Sequence, residues 1–141
     1  MNDVIIHRCV PGDETLFDRV AGEVFDDPVD RAKLERYLSL PGHHLLVAIE
    51  NDVIVGQLTA LSYQHPENRP GDLYIDEVGV NPFARRRGIA TKLMAAALAL
   101  AKELGCTEAW LGTEAKNLDA QAFYESLGWK ADPVMYYTFK L

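Results

Sequence analysis

Val80-Asn81-Pro82-Phe83-Ala84-Arg85-Arg86-Arg87-Gly88-Ile89-Ala90-Thr91 is the stretch whose reading decides the fold. Val80 ends an apolar run, and Asn81-Pro82 closes it. Gly88 then opens the strongest helical pattern of the chain. Ile89, Leu93, Ala97, Leu100 and Leu104 form its apolar stripe, and Gly105 suits the C-cap. The stretch is therefore a strand–turn–helix junction. Small residues at 88 and 90 let backbone N–H groups approach a ligand closely. The helix N-terminus adds partial positive charge, and three arginines surround it, which is what a pyrophosphate needs. No Gly-Lys-Ser/Thr follows, so this is not a P-loop. A solvated basic turn or a short nucleic-acid patch is the plainer alternative; the acidity of the chain and the junction favour a small phosphate-bearing ligand.

The strand leading into this turn, Leu73 to Val80, carries an irregularity. Leu73 and Ile75 share one face by alternation, as do Val78 and Val80, but the step from 75 to 78 is odd. Either the strand is buried on both faces, or one extra residue near Asp76-Glu77 forms a β-bulge that restores a common apolar face. Before it, Val4 to Ile6 reads as a strand. A helix opens at Asp13 with Leu16, Phe17, Val20, Ala21, Val24 and Phe25 at helical spacing. Asp26-Asp27-Pro28 reads as a stop and a new N-cap, with a second helix to about Leu40. His44 to Glu50 and Val53 to about Tyr63 are strands around an Asn51-Asp52 turn, whose residues tolerate positive φ. After the long helix come a strand over Thr107 to Thr113, a helix from Asn117 closed by Gly128, and a terminal strand over Met135 to Leu141. The order β-α-α-β-β-β-α-β-α-β predicts one mixed α/β domain over residues 1–141.

Composition excludes several classes. In 141 residues, 14 Lys and Arg face 21 Asp and Glu, a net charge of −7. Such a chain is a poor general binder of nucleic acid. The longest uncharged apolar run, Leu93 to Ala101, is far short of the ~20 residues that span a bilayer, and Met1-Asn2-Asp3 lacks a basic signal-peptide start. Cys9 and Cys106 form no C-x-x-C pair, and no zinc-ligand set is evident around them. His43 and His44 point to opposite faces of a strand, and His65 stands alone in a loop. The expectation is a reduced, cytoplasmic protein with no metal.

The paired motifs go further. Arg85-x-x-Gly88-x-Ala90 after Val80-x-Pro82, with Asn117-x-x-Ala120-x-x-Phe123-Tyr124-x-x-Leu127-Gly128-Trp129 downstream, resembles the GCN5-related N-acetyltransferase (GNAT) superfamily. The resemblance covers essentially the whole chain. It implies a mixed sheet of six to seven strands with helices on both faces, splayed central strands and the bulge. It implies acetyl-CoA as cofactor. Val78, Gly79 and Val80 would hold the pantetheine arm through backbone groups. Arg85, Arg86, Arg87, Gly88, Ile89, Ala90 and Thr91 would hold the pyrophosphate. Asn117 would contact pantetheine or simply cap its helix. Tyr124 would protonate the departing thiolate or serve as a core tyrosine.

The reaction needs a neutral amine, because an ammonium has no lone pair; a carboxylate can take the proton. Glu77 is the first candidate, with Asp76 and Glu114 in reserve. Within the superfamily, the chain is similar to aminoglycoside 3-N-acetyltransferases, through the Arg-Arg-x-Gly-Ile-Ala-Thr turn, the acidic Ile75-Asp76-Glu77 strand and Val134-Met135-x-Tyr137. It departs from them where Asn117, Leu118 and Thr138 stand at positions that are acidic in those enzymes. An aminoglycoside amine is the acceptor this implies, with an antibiotic-resistance role. A polyamine, another small amine or a protein amine is the alternative, and a non-catalytic acetyl-CoA sensor a further one. A homodimer is a family-level expectation. Residues 1–30 carry eight acids and two bases, a net of −6. That excess is either a solvated face or a funnel for a cation. The resemblance puts this region, with Asp26 and Asp27, at the acceptor wall beside Asp76, Glu77 and Glu114, which favours the funnel.

Overall fold

Alternating apolar residues at 45 and 47 and at 46 and 48 give the sheet two buried faces, each needing cover. The structure, a computed structural model, describes residues 3–141. It divides into two compact units, the first ending at Leu111 and the second spanning Gly112–Leu141.

The first unit is built on strands β1 (Ile5–Arg8), β2 (His43–Glu50), β3 (Val53–Tyr63), β4 (Asp72–Val80) and β5 (Glu108–Trp110), hydrogen-bonded in that order. β1 to β4 are antiparallel, and β5 joins β4 in parallel. Asn51 and Asp52 both take positive φ, 52° and 62°, as a tight primed hairpin requires. Helix α1 (Arg31–Ser39) buries Leu34 and Leu38 in a cluster with Leu45, Val47, Ile54 and Val24. Helix α2 (Ile89–Glu103) covers the other face, where Ile89 and Leu93 lie against Gly56. Full burial of side chains such as Leu93 and Leu46 contributes about 1.5–3 kcal/mol each.

The odd step in β4 is a bulge. Thr59 pairs with Glu77 and Ala60 with Ile75, leaving Asp76 as the extra residue. Ile75, Val78 and Val80 thereby face the α2 side opposite Ala60, Leu58 and Gly56, while Glu77 and Gly79 stand with Thr59 and Gln57 on the other face.

Three expectations need correction. The helix over 13–25 is a 3-10 helix over Asp13–Asp18 only. Beyond it the backbone pairs with β3: Ile54 N–H donates to Arg19 O (2.9 Å), and Ala21 N–H donates to Ile54 O (2.8 Å). These groups are unavailable to a helix, and Glu23 turns the chain with φ 62°. The next helix is capped by Asp30, whose carboxylate accepts from Lys33 N, rather than by Asp27. Among the described residues the sheet has five strands, not six or seven, and no strand forms over Met135 to Leu141. A strand exists only through its ladder partner. The second unit holds helix α3 (Leu118–Ser126) and no strand to pair with, and Val134 to Tyr137 and Phe139 are exposed.

Candidate active site

The free edge of β4 follows from its register. β5 pairs with Asp72, Leu73 and Tyr74, so among the described residues β4 has no ladder partner on that side from Ile75 onward. Asn81 N–H donates to Val55 O (2.9 Å). Antiparallel alternation then turns the backbone groups of Gly79 toward β3 and those of Val78 and Val80 toward the open edge. Arg85 Nε donates to Val80 O at 3.3 Å, consistent with that direction.

The turn after β4 is shaped for close approach. Arg86 has φ 62° and Gly88 φ 76°, and no side chain caps α2 at Gly88. The N–H groups of the first helical turn, over Ile89, Ala90 and Thr91, therefore have no side-chain acceptor at the cap. The three arginines differ. Arg87 is held in a two-pronged ion pair by Glu50, whose carboxyl lies below its usual range because of that hydrogen bond. Arg85 reaches back to Val80. Arg86 alone has no side-chain partner among the described residues.

On the opposite face of β4, Glu77 stands in a crowded acidic setting. Burial raises its pKa above the ordinary carboxylate range, and the charges of Asp76, Asp26 and Asp27 add to this; a hydrogen bond from Gln57 works the other way. Tyr37 of α1 lies close enough that Asp76 and Glu77 help burial push its hydroxyl up to about 12. Tyr37 O–H donates to His44 O at 2.7 Å. Tyr74 O–H donates to Asp76 at 3.3 Å.

The segment carrying Asp26 and Asp27 is fastened to this face. Asn81 Nδ2 donates to Gly22 O (2.9 Å), and Gln57 Nε2 donates to Val24 O (3.3 Å) and, at 3.5 Å, to Glu77. A Cβ on Gly79 would lie 2.2 Å from Val24 O, so only glycine permits the approach. Asp18, Glu23, Asp26 and Asp27 line a cleft of about 450 Å³ with Phe17 and Phe25. Gln57, Gly79 and Asn81 were not expected in these clamping roles. Their one signal in the sequence is a glutamine inside the apolar run Val53 to Ala60.

Glu114, Asn117 and Tyr124 belong to the second unit. Glu114 is exposed beside Lys116, 3.4 Å away. Asn117 Oδ1 accepts from Ala120 N at 3.1 Å, the helix-cap role. Tyr124 is half-buried beside Phe123 and Trp129, with ring centroids 5.3 and 6.3 Å away, and burial raises its pKa.

No described helix is long and apolar enough to cross a membrane. The Acetyltransferase (GNAT) family profile matches residues 14–129. The chain is 35% identical over 94 residues to human N-acetyltransferase 8, covering 67% of this chain and 41% of that protein. It thus spans less than half the length of that relative. Among solved structures, an aminoglycoside acetyltransferase from a soil metagenome, HMB0005, superposes with a TM-score of 0.84 at 26% identity, covering 99% of each chain. The aminoglycoside N-acetyltransferase AAC(6')-Iy in complex with CoA gives 0.81 at 20% identity, over 100% of this chain and 97% of that one.

Proposed function

The chain belongs to the Acetyltransferase (GNAT) family, and on that premise we propose that it moves an acetyl group from acetyl-CoA to a primary amine of a cationic small molecule, an aminoglycoside above all. The observation that carries this reading is Glu77. It sits one residue past the bulge, has a raised pKa among Asp76, Asp26 and Asp27, and belongs to the strand whose far edge is open at Val78 and Val80.

The chain's own groups fit the cofactor. The outward backbone of Val78 and Val80 receives the pantetheine arm as an added strand. The uncapped start of α2, the Arg86 turn and the Arg86 guanidinium receive the pyrophosphate. Acetyl-CoA supplies an acetyl group activated as a thioester.

Glu77 takes the proton from the bound ammonium, and its raised pKa brings it nearer the working pH of a general base. The thioester would offer the freed amine an acyl carbon with a thiolate as leaving group. The Val78 N–H would stabilise charge on the acyl oxygen. By the family resemblance Tyr124 would give its proton to the sulfur, and the second proton the nitrogen sheds on becoming an amide would restore it. Asp76 tunes Glu77, and Asp26 and Asp27 draw in the cation. Glu114 is a further acceptor contact. The structural neighbours named as aminoglycoside acetyltransferases support the substrate class. The 3-amine suggested by the sequence is to be read from the product by NMR.

An acetyl-CoA thiol-release assay across aminoglycosides, spermidine and lysine-containing peptides tests the proposal. Turnover with aminoglycosides is expected. Turnover with spermidine and none with any aminoglycoside overturns the substrate class. Acetyl-CoA binding without turnover on the whole panel overturns catalysis.

A further inference from the structure

At the end of β1, away from the groups used above, the chain gathers three donors of different chemistry. His7 and Cys9 are two residues apart in an extended segment and so share a side. Asp13 follows at the start of the 3-10 helix. Nε2 of His7, Sγ of Cys9 and a carboxylate oxygen of Asp13 all lie within 4.8 Å of one another, and all three residues are half-buried. We propose that His7, Cys9 and Asp13 form a binding site for a divalent cation of the zinc class.

The local backbone already holds the three in place. Cys9 N–H donates to Leu45 O (2.9 Å), which extends the β1–β2 ladder by one residue. Val10 N–H donates to Asp13 Oδ2 (2.8 Å), and Asp13 N–H returns to Val10 O (3.0 Å). The turn between them needs Gly12 at φ 104°. His7 Nε2 lies 2.8 Å from Asp13 Oδ2, so imidazole and carboxylate already meet.

The donor set selects the metal. Thiolate with imidazole suits zinc and its neighbours, whereas magnesium and calcium take oxygen ligands. Zinc bonds of roughly 2.0–2.3 Å put tetrahedral donors roughly 3.3–3.7 Å apart. An adjustment of about an ångström therefore closes three corners, and water takes the fourth. The His7–Asp13 hydrogen bond then gives way to two metal bonds. Binding releases the thiol proton as the Cys9 sulfur bonds the cation. The competing account is a His–Asp pair beside a core cysteine. No C-x-x-C spacing announces the set, because one ligand comes from the turn that the fold bends back.

The test uses the full chain, stripped with a chelator, and Co²⁺ alone as the probe. One ion per chain is expected, with tetrahedral d–d bands and a thiolate-to-cobalt charge-transfer band. Cys9→Ser abolishes that band. His7→Gln weakens binding by more than about tenfold. Cys106→Ser changes neither. Competition by Zn²⁺ gives the zinc affinity, and added Zn²⁺ raises the melting temperature of the wild type but not of Cys9→Ser. Circular dichroism matching the wild type shows that each variant is folded. Absence of a thiolate-to-cobalt band in the wild type, or a band unchanged in folded Cys9→Ser, overturns the site.

Discussion

The Gln57 amide nitrogen lies 3.5 Å from the Glu77 carboxylate and 3.3 Å from the carbonyl of Val24, so one buried side chain touches both the candidate base and the acidic segment facing it. Gln57 is 1% exposed, and its Oε1 has no partner among the described residues. A buried polar group left partly unsatisfied is costly, and here its amide nitrogen ties Val24 and Glu77 together.

Gln57→Leu keeps the volume and removes the amide. The hydrogen bond that lowers the Glu77 pKa is lost, while burial and the charges of Asp76, Asp26 and Asp27 remain. The acid limb of kcat/KM therefore moves to higher pH. Gln57→Asn, a shorter amide, is expected to recover part of the shift. A limb that stays in place in a folded Gln57→Leu variant removes Gln57 from this role.

Gly79→Ala tests the clamp. The new Cβ would lie 2.2 Å from the Val24 carbonyl, a backbone atom that cannot swing aside. Destabilisation of at least about 1–3 kcal/mol is expected in denaturant melts. The KM for the amine rises more than that for acetyl-CoA, because the displaced segment carries Asp26 and Asp27. An unchanged melt contradicts the packing described.

The arginine turn makes a separable prediction. Arg86→Ala raises the acetyl-CoA KM, and the increase shrinks at high salt, because the lost contact is electrostatic. Glu50→Gln loosens Arg87 and has a smaller effect. Equal effects of the two changes contradict the division of labour among the arginines.

Glu77 also carries a stability signature. Its folded pKa is raised, so between the ordinary glutamate value and the raised one the folded state holds the proton more tightly than the unfolded state. Stability is thus greatest below that window and falls as pH rises through it. Glu77→Gln removes the penalty. The variant is expected to melt higher than the wild type above the window, with the gap closing at acid pH.

Much of this fold is legible in the sequence where the signal is local. The Asn51-Asp52 hairpin needs only two residues that tolerate positive φ, and the odd step between Ile75 and Val78 leaves either a bulge or a doubly buried strand. The helix expected over 13–25 fails for a non-local reason. Its spacing marks burial correctly, since Leu16, Phe17, Val20, Ala21 and Phe25 all pack against the core. The conformation is set instead by Ile54, which takes the backbone groups of Arg19 and Ala21. The missing strand after Val134 has the same origin: β-propensity does not supply a partner. In the site, Glu77 is legible as an acid at a bulge. The Gln57 contact is not, because nothing local tells which loop meets a buried glutamine.

The proposed role of Glu77 is to remove a proton from a bound cationic amine before acetyl transfer. The direct measurement is kcat/KM against pH for wild type and Glu77→Gln, with one aminoglycoside at saturating acetyl-CoA. A Glu77-dependent acid limb is expected in the wild type. A roughly 10²–10⁴-fold lower rate is expected in the variant, with that limb gone and acetyl-CoA binding intact. Profiles of equal height and shape would contradict that role.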